Sequence, residues 1–252
     1  MNVLGALGYG LINAFHPRML WLMVWPMLVS FLIWGVVAIV AWMRLAMWLA
    51  GILRPWLEPA LGFIRLDFGD ATLIAAHVIL FLLFVPLVYI TALFILGAFG
   101  MQKMVNYVAE RSFPALERRH GGSVAGSIGN GLVALGGMLS LFVLSLPLWL
   151  IPPLWPLIPL VVLTWGNQRL LRYDALAEHA DKGEMASIFR KRRASLYTLG
   201  FLLALLAFVP LVQFIGPVVF GLGFIRYLLG ALIELRYGAH PHKELAAGNA
   251  PP

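Results

Sequence analysis

Forty-nine consecutive residues, 120–168, contain no Asp, Glu, Lys or Arg. As one straight helix this run would rise roughly 70 Å at ~1.5 Å per residue, more than twice the hydrocarbon thickness of a bilayer. It must fold back. The segment "PLWLIPPLWPLIP" (147–159) supplies the turn, because its five prolines cannot share a helix interior. Three other uncharged tracts frame this one: 19–43, 71–102 and 194–225. The first two read as full transmembrane helices, the second kinked at Pro86. The last carries Pro210, Gln213, Gly216 and Pro217 at its centre, which predicts a second turn between the prolines. Its limbs would be about 16 residues each, roughly 24 Å, suited to dipping into a bilayer and returning. Non-helical backbone at that depth requires protein or a water-filled cavity to satisfy it.

Composition supports bilayer as the solvent. The 252 residues are 62% hydrophobic and 12% charged, too little polar surface to cover a domain in water. The net charge of +7 does not point to nucleic acid, since the basic residues fall between tracts of membrane length. They orient the chain instead. With both termini, 103–119 and 169–193 in the cytoplasm, fifteen of the eighteen Lys and Arg lie inside, and 44–70 faces outward. Within 44–70, Trp48 and Trp56 stand among scattered charges, which fits a helix extension with interfacial anchors. Residues 1–17 read as an interfacial segment ending at Pro17, and 241–252 as a flexible tail. No cleavable leader and no soluble domain are expected.

Enzyme chemistry finds no foothold. There is no HExxH, GxSxG, Walker loop or dinucleotide fingerprint, so no catalytic residue and no cofactor is assigned. The absence of cysteine excludes thiolate sites and disulfides. "EHADKGE" (178–184) lacks metal-ligand spacing and reads as a solvated charged loop, while "HPH" (240–242) lacks a third ligand. The uncharged tracts hold no carboxylate or amine for a proton relay, which argues for a passive conduit or for no transport. Their polar residues are His77, Asn130 and Gln213. His77 is expected to hydrogen-bond between helices, and Asn130, among Gly126, Gly129 and Gly131, to sit in a close helix contact. Gln213 either lines a pore or satisfies backbone freed at a helix break. "RKRR" (190–193) reads as an anchor at anionic headgroups, a role compatible with a basic vestibule.

Three segments carry a family likeness: "HPRMLWLMVWPMLVS" (16–30), "EMASIFRKRR" (184–193) following Tyr173, and "VPLVQFIGPVV" (209–219). Together, over 8–236, they resemble the CysZ sulfate-permease family, which is related to the eukaryotic etoposide-induced membrane proteins. The resemblance implies an all-α integral membrane protein of a bacterial inner membrane. It would have two full transmembrane helices (19–43, 71–102) and two re-entrant, half-penetrating helical hairpins (121–168, 194–230), joined by a basic cytoplasmic connection (169–193). It further implies a homo-oligomer and sulfate uptake for cysteine synthesis. In the family a glycine and paired arginines follow the proline that opens the first helix. Here Arg18 stands in place of the glycine, and Leu20 and Trp21 in place of the arginines. Arg18 is thus the candidate anion-binding residue, and Gln213, Pro210 and Pro217 are candidates for pore lining or a hairpin tip. The expected function is a permease-like conduit for sulfate or another small inorganic anion. The alternative is a non-transporting membrane protein with a structural or partner-binding role.

Overall fold

The computed structural model describes residues 2–61 and 68–238, and they are helical almost throughout. In chain order the helices are α1 (Val3–Ala14), α2 (Pro17–Leu61), α3 (Phe68–Ser112), α4 (Val124–Ser145), α5 (Leu157–Leu176), α6 (Lys182–Lys191), α7 (Arg193–Leu206) and α8 (Pro210–Tyr237). Among the described residues, four stretches are long and apolar enough to cross a membrane: Pro17–Leu57, Ala71–Gly97, Val124–Leu150 and Phe214–Tyr237. The expected tail, 241–252, lies outside the described residues.

The chain divides into two compact units, one of residues 21–98 and one of 1–20 with 99–252. In the first, α2 and α3 run antiparallel. Phe31 meets Phe84 edge to face at 5.9 Å, the Trp34 indole N–H donates to Thr91 Oγ1 at 2.9 Å, and Trp42 leans on His77. Beyond that ring contact, the hydrogen bond between helices expected of His77 is not found among the described residues. Its Nδ1 lies 2.7 Å from the Leu73 carbonyl one turn earlier in its own helix, the nearest acceptor a helical ring can find. Both helices are 45 residues long, roughly 68 Å by ~1.5 Å per residue, so each exceeds a bilayer core about twofold. The stretch read as an outward connection is therefore helix as far as Leu61.

The second unit is built around α8. Val218, Val219, Leu222, Phe224, Ile225, Leu228, Leu229 and Leu232 are all fully buried, against Leu196, Leu199 and Leu203 of α7 and Leu176 of α5. Three of the four apolar spans are only 6–11% buried within the chain, whereas the α8 span is 78% buried. In lipid, apolar surface gains little by meeting other apolar surface, so close packing must hold helices together. Glycine provides it. A Cβ at Gly10 of α1 would stand 2.6 Å from the Val219 carbonyl oxygen, and one at Gly200 of α7 would stand 2.8 Å from that of Thr164.

The α4–α5 pair folds back within the proline-rich segment, as expected. Two short 3-10 turns, Leu146–Leu150 and Pro152–Leu154, form its tip. There the Trp155 indole donates to the Trp149 carbonyl (2.8 Å) and the Trp149 indole to Ser145 Oγ (3.3 Å). Asn130 ties the pair lower down, donating to the Arg169 and Leu170 carbonyls at 3.0 and 3.2 Å. The second turn is displaced from its expected position. It occupies 207–209, Pro210 is the first residue of α8, and Pro217 lies inside that helix. Proline fits the first helical turn, where its missing N–H has no acceptor to serve, and one interior proline is tolerated in a membrane-type helix.

Candidate functional site

Arg18 is the second residue of α2 and is exposed. His16 precedes the helix and its Nδ1 accepts the Arg18 backbone N–H at 3.3 Å, a weak side-chain cap on the first turn. The His16 ring is held in turn by Tyr107 of α3, at 5.4 Å between centroids. Tyr107 Oη accepts from Arg111 (3.1 Å) and donates to Asn13 Oδ1 (3.3 Å). The start of α2 is thereby fixed to the ends of α1 and α3, all within one unit. The Arg18 guanidinium makes no hydrogen bond or ion pair among the described residues and is exposed.

On α8, the candidates Pro210 and Pro217 occupy the positions given above; the side chain of Gln213 lies outside the described residues. Among the described residues, no hydrogen bond or ion pair joins Arg18 to Pro210 or Pro217.

A second cation does stand beside α1. Arg226 of α8 packs its guanidinium against Tyr9 (5.1 Å from the ring centroid) and Phe113 (4.5 Å). Each such contact contributes about 0.5–2 kcal/mol, depending on desolvation. Rings engage the guanidinium as a cation; they do not accept its in-plane hydrogen bonds as an oxygen does. Nη1 is buried and has no hydrogen-bond partner among the described residues. No carboxylate among the described residues pairs with Arg226 either.

A third group of charges is self-contained. Arg236, at the last turn of α8, meets Glu184 of α6 in a two-point fork, Nε to Oε1 at 2.7 Å and Nη2 to Oε2 at 2.8 Å. It also donates to the His179 carbonyl (2.7 Å) and the Glu117 carbonyl (3.1 Å). Glu184 simultaneously closes a capping box with Asp181. The hydrogen bond from Arg236 holds the Glu184 carboxyl below the usual carboxylate range, against the opposing effect of burial. Burial pushes the His179 imidazole down. The segment 178–184 is therefore not the solvated loop its composition suggested: His179 is 1% exposed and Glu184 is committed to Arg236. No group of His, Cys, Asp and Glu among the described residues is arranged to hold a metal.

A family model described as "Sulfate transporter CysZ/Etoposide-induced protein 2.4" matches residues 6–217. The chain belongs to this family. The sulfate transporter CysZ/etoposide-induced protein 2.4 family thus includes a chain with the long α2 and α3, the α4–α5 hairpin and the start of α8. Arg226 and Arg236 lie beyond the matched residues. No curated protein and no solved structure matches the chain.

Sequence reasoning passed over Arg226. It closes the uncharged tract 194–225 and enters the sequence reading only within the count of fifteen cytoplasmic cations. Yet it is the only Asp, Glu, Lys or Arg in 194–233. A lone charge with apolar sequence on both sides belongs to the membrane-type helix, where an ionisable residue marks a functional position by default.

Proposed function

We propose that this protein is a permease-like conduit through which sulfate or another small inorganic anion crosses a bacterial inner membrane, as a homo-oligomer. Membership of a family that includes sulfate transporters carries the reading, and the exposed guanidinium of Arg18 gives it a starting residue. Arg18 lies in the first turn of α2, where the helix dipole adds to its charge in favouring an anion. A well-placed charge-assisted hydrogen bond contributes about 1.5–3 kcal/mol. Arg18→Ala is accordingly expected to weaken sulfate binding and flux roughly tenfold to a hundredfold, and Arg18→Lys to lose less. Sulfate binding to purified protein, and flux into liposomes, check this. Unchanged affinity in Arg18→Ala removes Arg18 from the site. A wild type that neither binds nor passes sulfate favours a non-transporting, structural or partner-binding protein.

In this reading the hairpins α4–α5 and α7–α8 enter and leave by one membrane face, and both termini and the basic connection are cytoplasmic. α7 supports it: 14 residues rise roughly 21 Å, short of a ~30 Å hydrocarbon core. The hairpin tip at 146–155 supports it too, because both of its indole N–H groups are satisfied within the chain and need no water. The chain has no cysteine, so single cysteines report topology without background. An impermeant maleimide applied from outside is expected to label position 60 and to spare 240. Labelling of 240 but not 60 reverses the arrangement.

A further inference from the structure

We infer that Arg226 is a second oxyanion-binding position, taking a sulfate- or phosphate-type group on the in-plane N–H donors that Tyr9 and Phe113 leave free. Three observations converge on it. The guanidinium packs against two aromatic rings, which fix its orientation and remove most of its water. Its Nη1 is buried without a hydrogen-bond partner, and a buried donor left unpaired is costly enough to require an explanation. No carboxylate among the described residues neutralises it, although Arg118, Arg119, Arg192 and Arg236 all have one. A small, negatively charged acceptor would answer both the open donors and the unbalanced charge. A tetrahedral oxyanion meets each requirement, since it presents two oxygens at the spacing of a guanidinium fork. Arg226 is only partly buried, so such a group can reach it. The ligand chemistry is shared by a free anion and by the phosphate of a lipid headgroup. The inference goes beyond the conduit reading, because occupancy of Arg226 requires no transport and no contribution from Arg18.

The test uses full-length protein in a neutral detergent with two probes. One is inorganic sulfate, measured calorimetrically against chloride at equal ionic strength; the other is phosphatidylglycerol, counted as bound lipid by native mass spectrometry. Wild type is expected to bind at least one probe through Arg226. Arg226→Gln should weaken that binding on the order of tenfold to a hundredfold, and Arg226→Lys, which keeps the charge but loses the fork, by less. Loss in the sulfate arm identifies a free anion; loss in the lipid arm alone identifies a headgroup. Should Arg226→Gln fail to fold, Arg226→Lys and the rise in wild-type melting temperature with sulfate over chloride carry the test. A folded Arg226→Gln with wild-type affinity for both probes overturns the inference and leaves the conduit reading intact. So does a wild type that neither binds these probes nor melts higher with sulfate than with chloride. Absent sulfate flux with binding that depends on Arg226 does the reverse.

Discussion

Arg236→Ala is expected to destabilise the unit formed by 1–20 and 99–252 by about 3–5 kcal/mol, the cost of removing one partner from a buried ion pair. The Arg236 side chain is 6% exposed and that of Glu184 12%; Glu184 keeps a second cation, Arg119 at 3.1 Å, which places the cost at the lower end of that range. The same substitution also strips donors from the His179 and Glu117 carbonyls, releasing three segments at once. Arg118 with Glu178 gives the contrast. That pair is 44% and 24% exposed, and Arg118→Ala should cost about 0–1 kcal/mol. Arg236→Lys should restore little, because an ammonium cannot reproduce the fork. Thermal unfolding in detergent measures all three variants; a cost under 1 kcal/mol for Arg236→Ala would show that the cluster is not a clamp. Acid should act on the same place. Glu184 is depressed in the folded state, so its contribution is present above its unfolded value and is lost as pH falls through the folded one. His179 is depressed too, by burial first and then by Arg118, Arg236 and His120, against the raising effect of Glu178, so stability also falls as pH drops below its ordinary value of 6.5. Both groups weaken the fold in the same direction, toward low pH, and Glu184→Gln should flatten the lower part of that profile.

Gly10→Leu is expected to detach α1 from α8. A Cβ at residue 10 would meet the Val219 carbonyl oxygen at 2.6 Å and the Gly223 nitrogen at 3.2 Å, both backbone atoms that cannot rotate away. Overpacking of this kind costs about 1–3 kcal/mol, and more where a whole helix must move. Gly8, two residues earlier, would meet nothing within 4 Å. Gly8→Ala should therefore leave the unit unchanged or stabilise it by about 0.5–1 kcal/mol, the ordinary gain of alanine in a helix. Cysteines placed on α1 and α8 and crosslinked in membranes read the contact directly. Efficient crosslinking in Gly10→Leu would mean that α8 accommodates the side chain.

The contrast between these glycines shows where the sequence is informative. Residues 147–159 announce a turn, because five prolines leave helix no room, and the turn is there. Pro210 and Pro217 announce a turn equally well in composition, yet one starts α8 and the other sits within it. Proline breaks a helix that is already running and favours one that is beginning, and only the surrounding structure says which applies. Arg18 was legible as an exposed cation after Pro17, since both facts are local. Arg226 needed Tyr9 and Phe113, and Arg236 needed Glu184, partners separated from it by 52 residues. Nothing in the spacing of charges distinguishes an arginine bound for an aromatic clamp from one bound for headgroups.

The pairing of α1 with α8 also sets an order of events during synthesis. The two long helices of 21–98 can meet as soon as both have left the ribosome. α1 buries Ala6, Gly10 and Ala14, but the helix that covers them is completed only at Tyr237. At about 5–20 residues per second, α1 waits roughly 10–45 s for its partner. For that interval its apolar face has only lipid or a chaperone to shelter it, and a ribosome paused before α8 leaves the first helix stranded.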